Sequence, residues 1–110
     1  MQASRVATKL KVWVVLKGQG TVVAGPSGEL YINSSGSPAL ATGGTGDILS
    51  GMIAAMLAQL GTEQAALAIS SAVFLHGLAG ELHESGQRTF VADDLLQQIG
   101  PAMQTLSPFA

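Results

Sequence analysis

A glycine-rich stretch that runs directly into an apolar helical pattern constrains this chain more than any other feature. Residues 41–51 read ATGGTGDILSG, and the apolar segment MIAAMLAQL follows at once. In that segment apolar side chains recur at the spacing of one helix face, and alanines fill the remaining faces. We therefore predict a helix that is buried nearly all round and that Gly61 ends. Its apolar positions are Leu49, Met52, Ile53, Met56, Leu57 and Leu60, and its alanines are Ala54, Ala55 and Ala58.

The start of this helix has the properties of an anion-binding site. The first N–H groups of a helix have no partner within it, and aligned peptide dipoles place about half a positive charge there. Without side chains at Gly43, Gly44 and Gly46, backbone amides could wrap a phosphoryl oxygen closely. Asp47 would enter the same volume, where a carboxylate can remove a proton from an attacking hydroxyl. The alternative interpretation is that Asp47 is an N-cap and the glycines form a turn.

The overall composition suits one domain, or a piece of a larger one, with surface left for a partner. Hydrophobic residues make up 47% of the 110 residues and charged residues only 11%, an apolar balance for a short chain. The charged residues sum to a net charge of −2 and are scattered along the sequence. They therefore form no electrostatic footprint for nucleic acid or an acidic membrane. With no cysteine, no visible secretory signal and no apolar run of about 20 residues, we expect a soluble cytoplasmic protein.

Three short strands are predicted in the first third of the chain. Residues 1–10 show no clear period. Residues 11–17, KVWVVLK, lack alternation, which predicts a strand covered on both faces, as in a parallel sheet. Residues 21–24 and 29–32 predict two further strands, and the GPSG turn between them indicates a hairpin.

Two more helices are predicted after the one that follows Asp47. Thr62 is the expected N-cap of a second helix that continues to Gly86. Asp93 is the expected N-cap of a third helix, which Gly100 and Pro101 end. The sequence therefore predicts an α/β protein with about three short strands followed by three helices.

Several other polar residues have ordinary structural explanations. His76 and His83 are separated by about 10 Å of helical rise, too far to share one metal ion, so we interpret them as packed or surface histidines. Asp93 and Asp94 lie where a helix begins, which favours capping over a catalytic carboxylate pair. Lys17 ends a strand, where its ammonium group suits a phosphate or solvent equally.

Four separate motifs occur in the order in which one enzyme family carries them. They are LKG-x-GT at 16–21, N-x-x-G-x-P-x-[LM]-A-T-G-G-T-G-D-x-L-[ST]-G at 33–51, LHGLAG at 75–80 and ADDL at 92–95. From about Val14 to Leu96 the chain resembles the C-terminal part of the ADP- or ATP-dependent NAD(P)H-hydrate dehydratases. These enzymes form a carbohydrate-kinase-like branch of the ribokinase-like superfamily. A series of ordered motifs is more specific than GTGD alone.

The resemblance implies a reaction and a role for particular residues. Hydrated NADH or NADPH is phosphorylated on its ring hydroxyl, and loss of phosphate restores the dihydropyridine. Asp47 would bind the substrate and deprotonate that hydroxyl. The amides around Gly44, Thr45 and Gly46 would form an anion hole for the moving phosphoryl group. The nucleotide would lie along Lys17, Gly18, Gln19, Gly20 and Thr21, with Gly46 near its phosphates. Bacterial members typically use ADP and animal members ATP, usually with Mg²⁺, for which no carboxylate cluster is evident here.

The resemblance also implies that residues 1–110 form a single partial domain, the C-terminal portion of a ribokinase-like fold. Most of the hydrated-nicotinamide pocket in the family precedes the strand at Val14. We therefore expect the residues before it to form the tail of a preceding helix, and the chain not to turn over alone. Expected partners are the substrate, the nucleotide and further copies of the chain, with neither nucleic acid nor membrane.

Two alternative functions stay open at this point. One is a ribokinase-like kinase for a small alcohol, such as a sugar or a vitamin precursor. The other is a non-catalytic module that binds nucleotide or associates with itself.

Overall fold

The computed structural model describes residues 2–18, 20–36, 44–84 and 92–106, so the predicted positions Gln19, Gly43 and Gly86 lie outside it. In the described ranges three strands are followed by three α-helices, which confirms the predicted α/β class. One further helix precedes the strands, as the family resemblance implies. The elements are α1 Gln2–Leu10, β1 Val14–Leu16, β2 Val22–Ala24, β3 Leu30–Ile32, α2 Thr45–Leu60, a 3-10 helix Thr62–Gln64, α3 Ala65–Glu84 and α4 Ala92–Leu106.

The three strands form an antiparallel sheet in the order β1-β2-β3. Val15 pairs with Val23, and Val23 pairs with Tyr31, so β2 is central and the predicted hairpin of β2 and β3 is confirmed. At the hairpin turn Gly28 takes φ 94, a conformation that glycine adopts readily. The expectation of a parallel strand is wrong for the described residues, because β1 pairs antiparallel with β2.

Strand β1 nevertheless has packing on both of its faces, as its sequence predicts. On one face Val14 packs with Ala7 of α1. On the other face Val15 packs with a core that contains Leu49 of α2 and Ile69 of α3. Successive residues of a strand point to opposite faces, so β1 needs apolar side chains at consecutive positions. The lack of alternation therefore reports two-sided packing and not the direction of strand pairing.

Helix α2 is less buried than its composition predicts. Leu49 is buried, and Ile53 and Leu57 pack against the same core. The prediction of burial nearly all round is wrong for this chain, because α3 and α4 cover only one side of the helix. Single exposed alanines are common on protein surfaces and carry little apolar area. The exposed alanines of α2 are Ala54, Ala55 and Ala58.

The junction between α2 and α3 is set by a glycine. Gly61 ends α2 with φ 86, as predicted, and its carbonyl accepts the Gln64 N–H at 3.1 Å. Thr62 consequently begins a 3-10 helix instead of capping α3, so that prediction is wrong. The segment Thr62–Leu82 has a mean hydropathy of 1.5, which by length and composition alone would suffice to cross a membrane. Half of it is buried inside the molecule, as expected for a core helix.

Helix α4 does not follow the predicted boundaries. It begins at Ala92, so Asp93 lies inside the helix and the prediction that Asp93 is its N-cap is wrong. The helix runs through Gly100 and Pro101 to Leu106. Proline inside a helix removes one hydrogen bond and costs about 3 kcal/mol in an isolated helix. Ala102 is fully buried in a cluster with residues of α3, so tertiary packing continues the helix past its breakers.

Candidate functional site

The first turn of α2 presents backbone amides at its open end. Gly44 occupies the N-cap position with φ 92 and ψ −16, and among the described residues no side chain caps the helix. Residues with a Cβ rarely adopt this conformation, so the turn requires glycine there. The first helical hydrogen bond joins the Ile48 N–H to the Gly44 carbonyl at 3.3 Å. The Gly46 and Asp47 amides therefore have no acceptor within the helix and add to the positive end of its dipole.

Asp47 is the third residue of α2, and its side chain is exposed. The helix begins two residues earlier, so the alternative interpretation of Asp47 as the N-cap is wrong. A carboxylate in the first turn of a helix is stabilised by the dipole. Because it is accessible, it can also meet a substrate beside the amides of Gly46. The role of Asp47 as a base stays a prediction.

Lys17 brings a positive charge to the same turn. The residue follows β1, and its Nζ lies 3.2 Å from the point at which a Cβ on Gly46 would stand. Because Gly46 has no Cβ, the ammonium group of Lys17 has room beside it. The ammonium charge and the positive end of the helix dipole repel each other, and an anion beside both would relieve that repulsion. The fold thus brings together Lys17 and Gly46, two of the residues for which the resemblance implies a nucleotide contact.

The turn that follows Lys17 is held by the hydroxyl of a threonine. Thr21 Oγ1 donates to the Gly18 carbonyl at 3.1 Å. The Gly18 N–H in turn lies 3.4 Å from Thr21 Oγ1. Gly20 takes φ 72, a backbone conformation that favours glycine. The Asn33 N–H donates to the Thr21 carbonyl at 2.8 Å and ties the turn to the end of β3. The bonds of the hydroxyl account for Thr21 of the LKG-x-GT motif, and the φ of 72 accounts for Gly20. The contact of these residues with a nucleotide stays a prediction.

His76 of α3 contacts the first turn of α2 from inside the molecule. Only 4% of this residue is exposed, and its Nε2 lies 2.9 Å from the Thr45 carbonyl oxygen. A carbonyl only accepts, so Nε2 carries the proton and donates it. Burial lowers the pKa of His76, the hydrogen bond to Thr45 opposes this, and the charge of Lys17 lowers it further. His76 is thus a packed histidine, as predicted, but its contact with the candidate site was missed.

The backbone that leads toward the glycine-rich stretch is docked on α3. Ser35 Oγ donates to the Phe74 carbonyl at 2.9 Å, and the Gly36 N–H donates to Glu81 Oε1 at 3.0 Å. A Cβ on Gly77 would stand 2.8 Å from the Ser35 carbonyl carbon, closer than Cβ atoms approach in proteins. Sequence reasoning missed this contact. The available signal was a glycine inside an apolar helix, which costs about 1 kcal/mol relative to alanine and so indicates close packing.

Metal ligands are not gathered at this turn in the part of the chain that the structure describes. No group of three His, Cys, Asp or Glu side chains forms there that could hold an ion. Mg²⁺ usually keeps several waters and is bound through one or two carboxylates together with substrate phosphates. Asp47 supplies one exposed carboxylate of this kind, so the described residues fit such an ion only in part. The side chains of His83, Asp93 and Asp94 lie outside the described part of the structure.

The sequence of the chain is similar to proteins of one family. The family model of NAD(P)H-hydrate dehydratase matches residues 1–101. A bifunctional NAD(P)H-hydrate repair enzyme Nnr of Thermofilum pendens is 45% identical over 107 residues, covering 94% of this chain and 20% of that protein. The ADP-dependent (S)-NAD(P)H-hydrate dehydratase of Bacillus subtilis is 44% identical over 91 residues, covering 81% of this chain and 32% of that protein.

A solved structure shows the same arrangement of elements. The crystal structure of the ADP/ATP-dependent NAD(P)H-hydrate dehydratase from Bacillus subtilis, co-crystallized with ATP and Mg²⁺, matches with a TM-score of 0.89 and 37% identity. The match covers 96% of this chain and 38% of that chain, so this chain spans well under half the length of its relatives. Sequence and fold agree, and the chain belongs to the NAD(P)H-hydrate dehydratase family.

Proposed function

We propose that this chain forms the phosphoryl-transfer part of an ADP-dependent NAD(P)H-hydrate dehydratase, a lyase that repairs hydrated NADH and NADPH. One observation carries the proposal: the Lys17 Nζ lies 3.2 Å from a Cβ position on Gly46, at the N-terminus of α2. An ammonium group and a helix dipole converge there on one solvent-accessible point, with the Asp47 carboxylate exposed beside them. Family membership suggests the substrate, since relatives are named as ADP-dependent (S)-NAD(P)H-hydrate dehydratases.

In this proposal the turn of α2 holds the phosphates of ADP. The amides around Gly44, Thr45 and Gly46 donate to the phosphoryl oxygens, and Lys17 adds a full positive charge. The nucleotide extends from there along the turn at residues 17–21. Donors that are already oriented stabilise charge on a moving phosphoryl group without reorganising during the reaction. Phosphoryl transfer depends mainly on such positioning and on electrostatic stabilisation.

Asp47 acts as the base in the same proposal. It takes the proton of the ring hydroxyl while that oxygen forms a bond to the terminal phosphorus of ADP and the bond to the AMP oxygen breaks. In the second step the bond between the ring carbon and that oxygen breaks, and phosphate leaves with the electron pair. The ring then loses a proton and becomes a dihydropyridine again. The products are AMP, phosphate and NADH or NADPH.

We further propose a magnesium ion, a partner surface and a cellular location for this chain. Mg²⁺ would arrive with the nucleotide phosphates and neutralise part of their charge. Exposed apolar residues such as Leu16 and Ile32 offer surface for the rest of a longer protein or for another copy of the chain. A cytoplasmic location belongs to the same proposal, because hydrated NADH and NADPH arise from the cofactor pools of metabolism.

We would test the proposal with a chimera, since the substrate pocket of the family lies largely outside this chain. The chain replaces the matching 38% of the Bacillus subtilis dehydratase chain, and hydrated NADH, ADP and Mg²⁺ are supplied while NADH absorbance is followed. We expect NADH to return, and Asp47→Asn to slow its return by about 10²- to 10⁴-fold, as for the loss of a general base. ADP binding should be unchanged or tighter, because a carboxylate beside a phosphate repels it.

Glu63→Gln is the matched control for this experiment. Glu63 is another exposed carboxylate in the first turn of a helix, and its neutralisation should leave both NADH return and ADP binding unchanged. A chimera that restores NADH equally well with Asp47→Asn would show that Asp47 is not the base. A folded 110-residue chain with no affinity for ADP and Mg²⁺ would contradict the proposed phosphate site itself.

A further inference from the structure

The first turn of α2 combines two glycines with one buried residue, Thr45. Two of its first three positions counted from the N-cap are glycines, Gly44 and Gly46, and no described side chain caps it. Glycine has the largest backbone freedom of any residue, so ordering it costs more conformational entropy. Within the helix itself, the Ile48 N–H bonds to the Gly44 carbonyl at 3.3 Å, and Ser50 Oγ donates to the Gly46 carbonyl at 3.0 Å.

A buried side chain supplies a contact from outside the helix. His76 Nε2 lies 2.9 Å from the Thr45 carbonyl oxygen, although the two residues are 31 positions apart in the chain. His76 sits on α3 next to Leu75, which belongs to the core, and only 4% of His76 is exposed. A packed imidazole on a core helix has little freedom to move, so it can serve as a fixed point for the turn.

The planarity of the peptide bond passes this restraint to a candidate phosphate donor. The Thr45 carbonyl and the Gly46 N–H belong to one peptide unit, which is planar and trans, so the two bonds point in opposite directions. Holding the Thr45 oxygen therefore sets the direction of the Gly46 N–H. Gly46 is also the residue beside which Lys17 Nζ lies, so the oriented donor and the ammonium group serve the same point.

We propose that His76 is a positioning residue of the phosphate-binding turn, which it holds through the Thr45 carbonyl so that the Gly46 amide points at the transferred phosphoryl group. This inference rests on the proposed function. It requires the imidazole to carry its proton on Nε2. Burial and the neighbouring charge of Lys17, the charged group that faces it, both lower its pKa and favour the neutral ring.

The test measures the turn without any ligand. Backbone ¹⁵N relaxation in the 110-residue chain gives the order parameter of the Gly46 N–H. We expect a rigid value of about 0.85 in the wild type and a fall below about 0.6 in His76→Leu, which fills the space but cannot donate. His76→Gln, whose amide can donate from a similar reach, should restore most of the order. Val73→Ala is the matched control, because it weakens the α3 core without removing a bond to the turn.

A second measurement, the affinity of each variant for ADP with Mg²⁺, tests whether the order of the turn affects phosphate binding. We expect His76→Leu to bind about tenfold more weakly than the wild type, as for one misaligned donor to a charged group, and Val73→Ala to bind like the wild type. An unchanged Gly46 order parameter in His76→Leu overturns the inference while leaving the proposed function intact. Failure of the wild type to bind ADP overturns the proposed function, whereas the order parameter still decides whether His76 positions the turn.

A measurement on the wild type covers the case in which His76→Leu does not fold. The ¹⁵N shifts of the imidazole show which ring nitrogen carries the proton. A proton on Nε2 with a neutral ring at pH 7 supports the hydrogen bond to Thr45. A neutral ring with its proton on Nδ1 overturns the inference without any variant.

Discussion

Gly77→Ala tests whether the fold depends on the close approach of residues 33–36 to α3. A Cβ at this position would stand 2.8 Å from the Ser35 carbonyl carbon and 2.9 Å from the Ser35 Cβ. Backbone atoms cannot yield as a flexible side-chain tip does, so the segment must lift away or α3 must shift. Lifting breaks the bonds from Ser35 Oγ to the Phe74 carbonyl and from the Gly36 N–H to Glu81.

The size of the effect follows from these contacts. If the segment lifts, two hydrogen bonds at about 0.5–1.5 kcal/mol each are lost, which amounts to about 1–3 kcal/mol; if the extra atoms are instead forced into the packed site, the cost is of similar size. Alanine regains about 1 kcal/mol of helix propensity. We therefore expect Gly77→Ala to lower the free energy of unfolding by about 0–2 kcal/mol.

Gly51→Ala is the matched control, since Gly51 is an exposed glycine in α2 with no atom near its Cβ position. This substitution should gain the propensity alone and raise the free energy of unfolding by about 0.5–1 kcal/mol. The difference between the two variants, about 1–3 kcal/mol, isolates the contact with Ser35. Urea unfolding followed by the fluorescence of Trp13, the single tryptophan, measures both. Equal stability of the two variants would refute the proposed packing.

Three further predictions concern the first turn of α2. Gly44→Ala should lower the free energy of unfolding by about 1–2 kcal/mol in urea titrations, because φ at this position is 92, and an unchanged midpoint would contradict the requirement for glycine. Lys17→Met should weaken ADP binding by about tenfold in calorimetric titrations because it removes the ammonium group, whereas Gly46→Ala should weaken binding less because the flexible tip of Lys17 can move aside; normal binding by Lys17→Met would argue against the site. The folded-state pKa of His76 lies below its unfolded value of 6.5, so its contribution to stability is present above pH 6.5 and is lost as pH falls toward the folded pKa. Urea titrations between pH 7 and pH 5 should therefore show a smaller loss of stability in His76→Gln than in the wild type. If the free energy of unfolding falls equally with pH in both proteins, the protonation of His76 does not affect stability.

The predictions from sequence succeeded where the cause is local. The three strands, the hairpin turn and the position of the apolar helices follow from side-chain types within a few residues of one another. The failures at β1 and α4 came where distant packing decides the outcome. Pro101 stays inside α4 because Ala102 is buried in a cluster with residues of α3. The sequence of α4 alone does not predict this contact with α3. The partner of β1 is likewise undetermined by its sequence, because two-sided burial produces the same apolar run for either strand direction.

The candidate site likewise has parts that the local sequence predicts and parts that depend on distant contacts. Lys17 and the turn of α2 each carry a readable local signal, a charge at a strand end and glycines before an aspartate. The contacts that support these residues come from distant parts of the chain. Ser35 bonds to Phe74, 39 positions away, and His76 contacts Thr45, 31 positions away. Such supporting residues have no distinctive type or spacing, because a histidine or a glycine on an apolar helix has many ordinary uses. Substitution of His76 should therefore alter phosphate binding by moving the turn, although this residue of α3 need not touch the ligand.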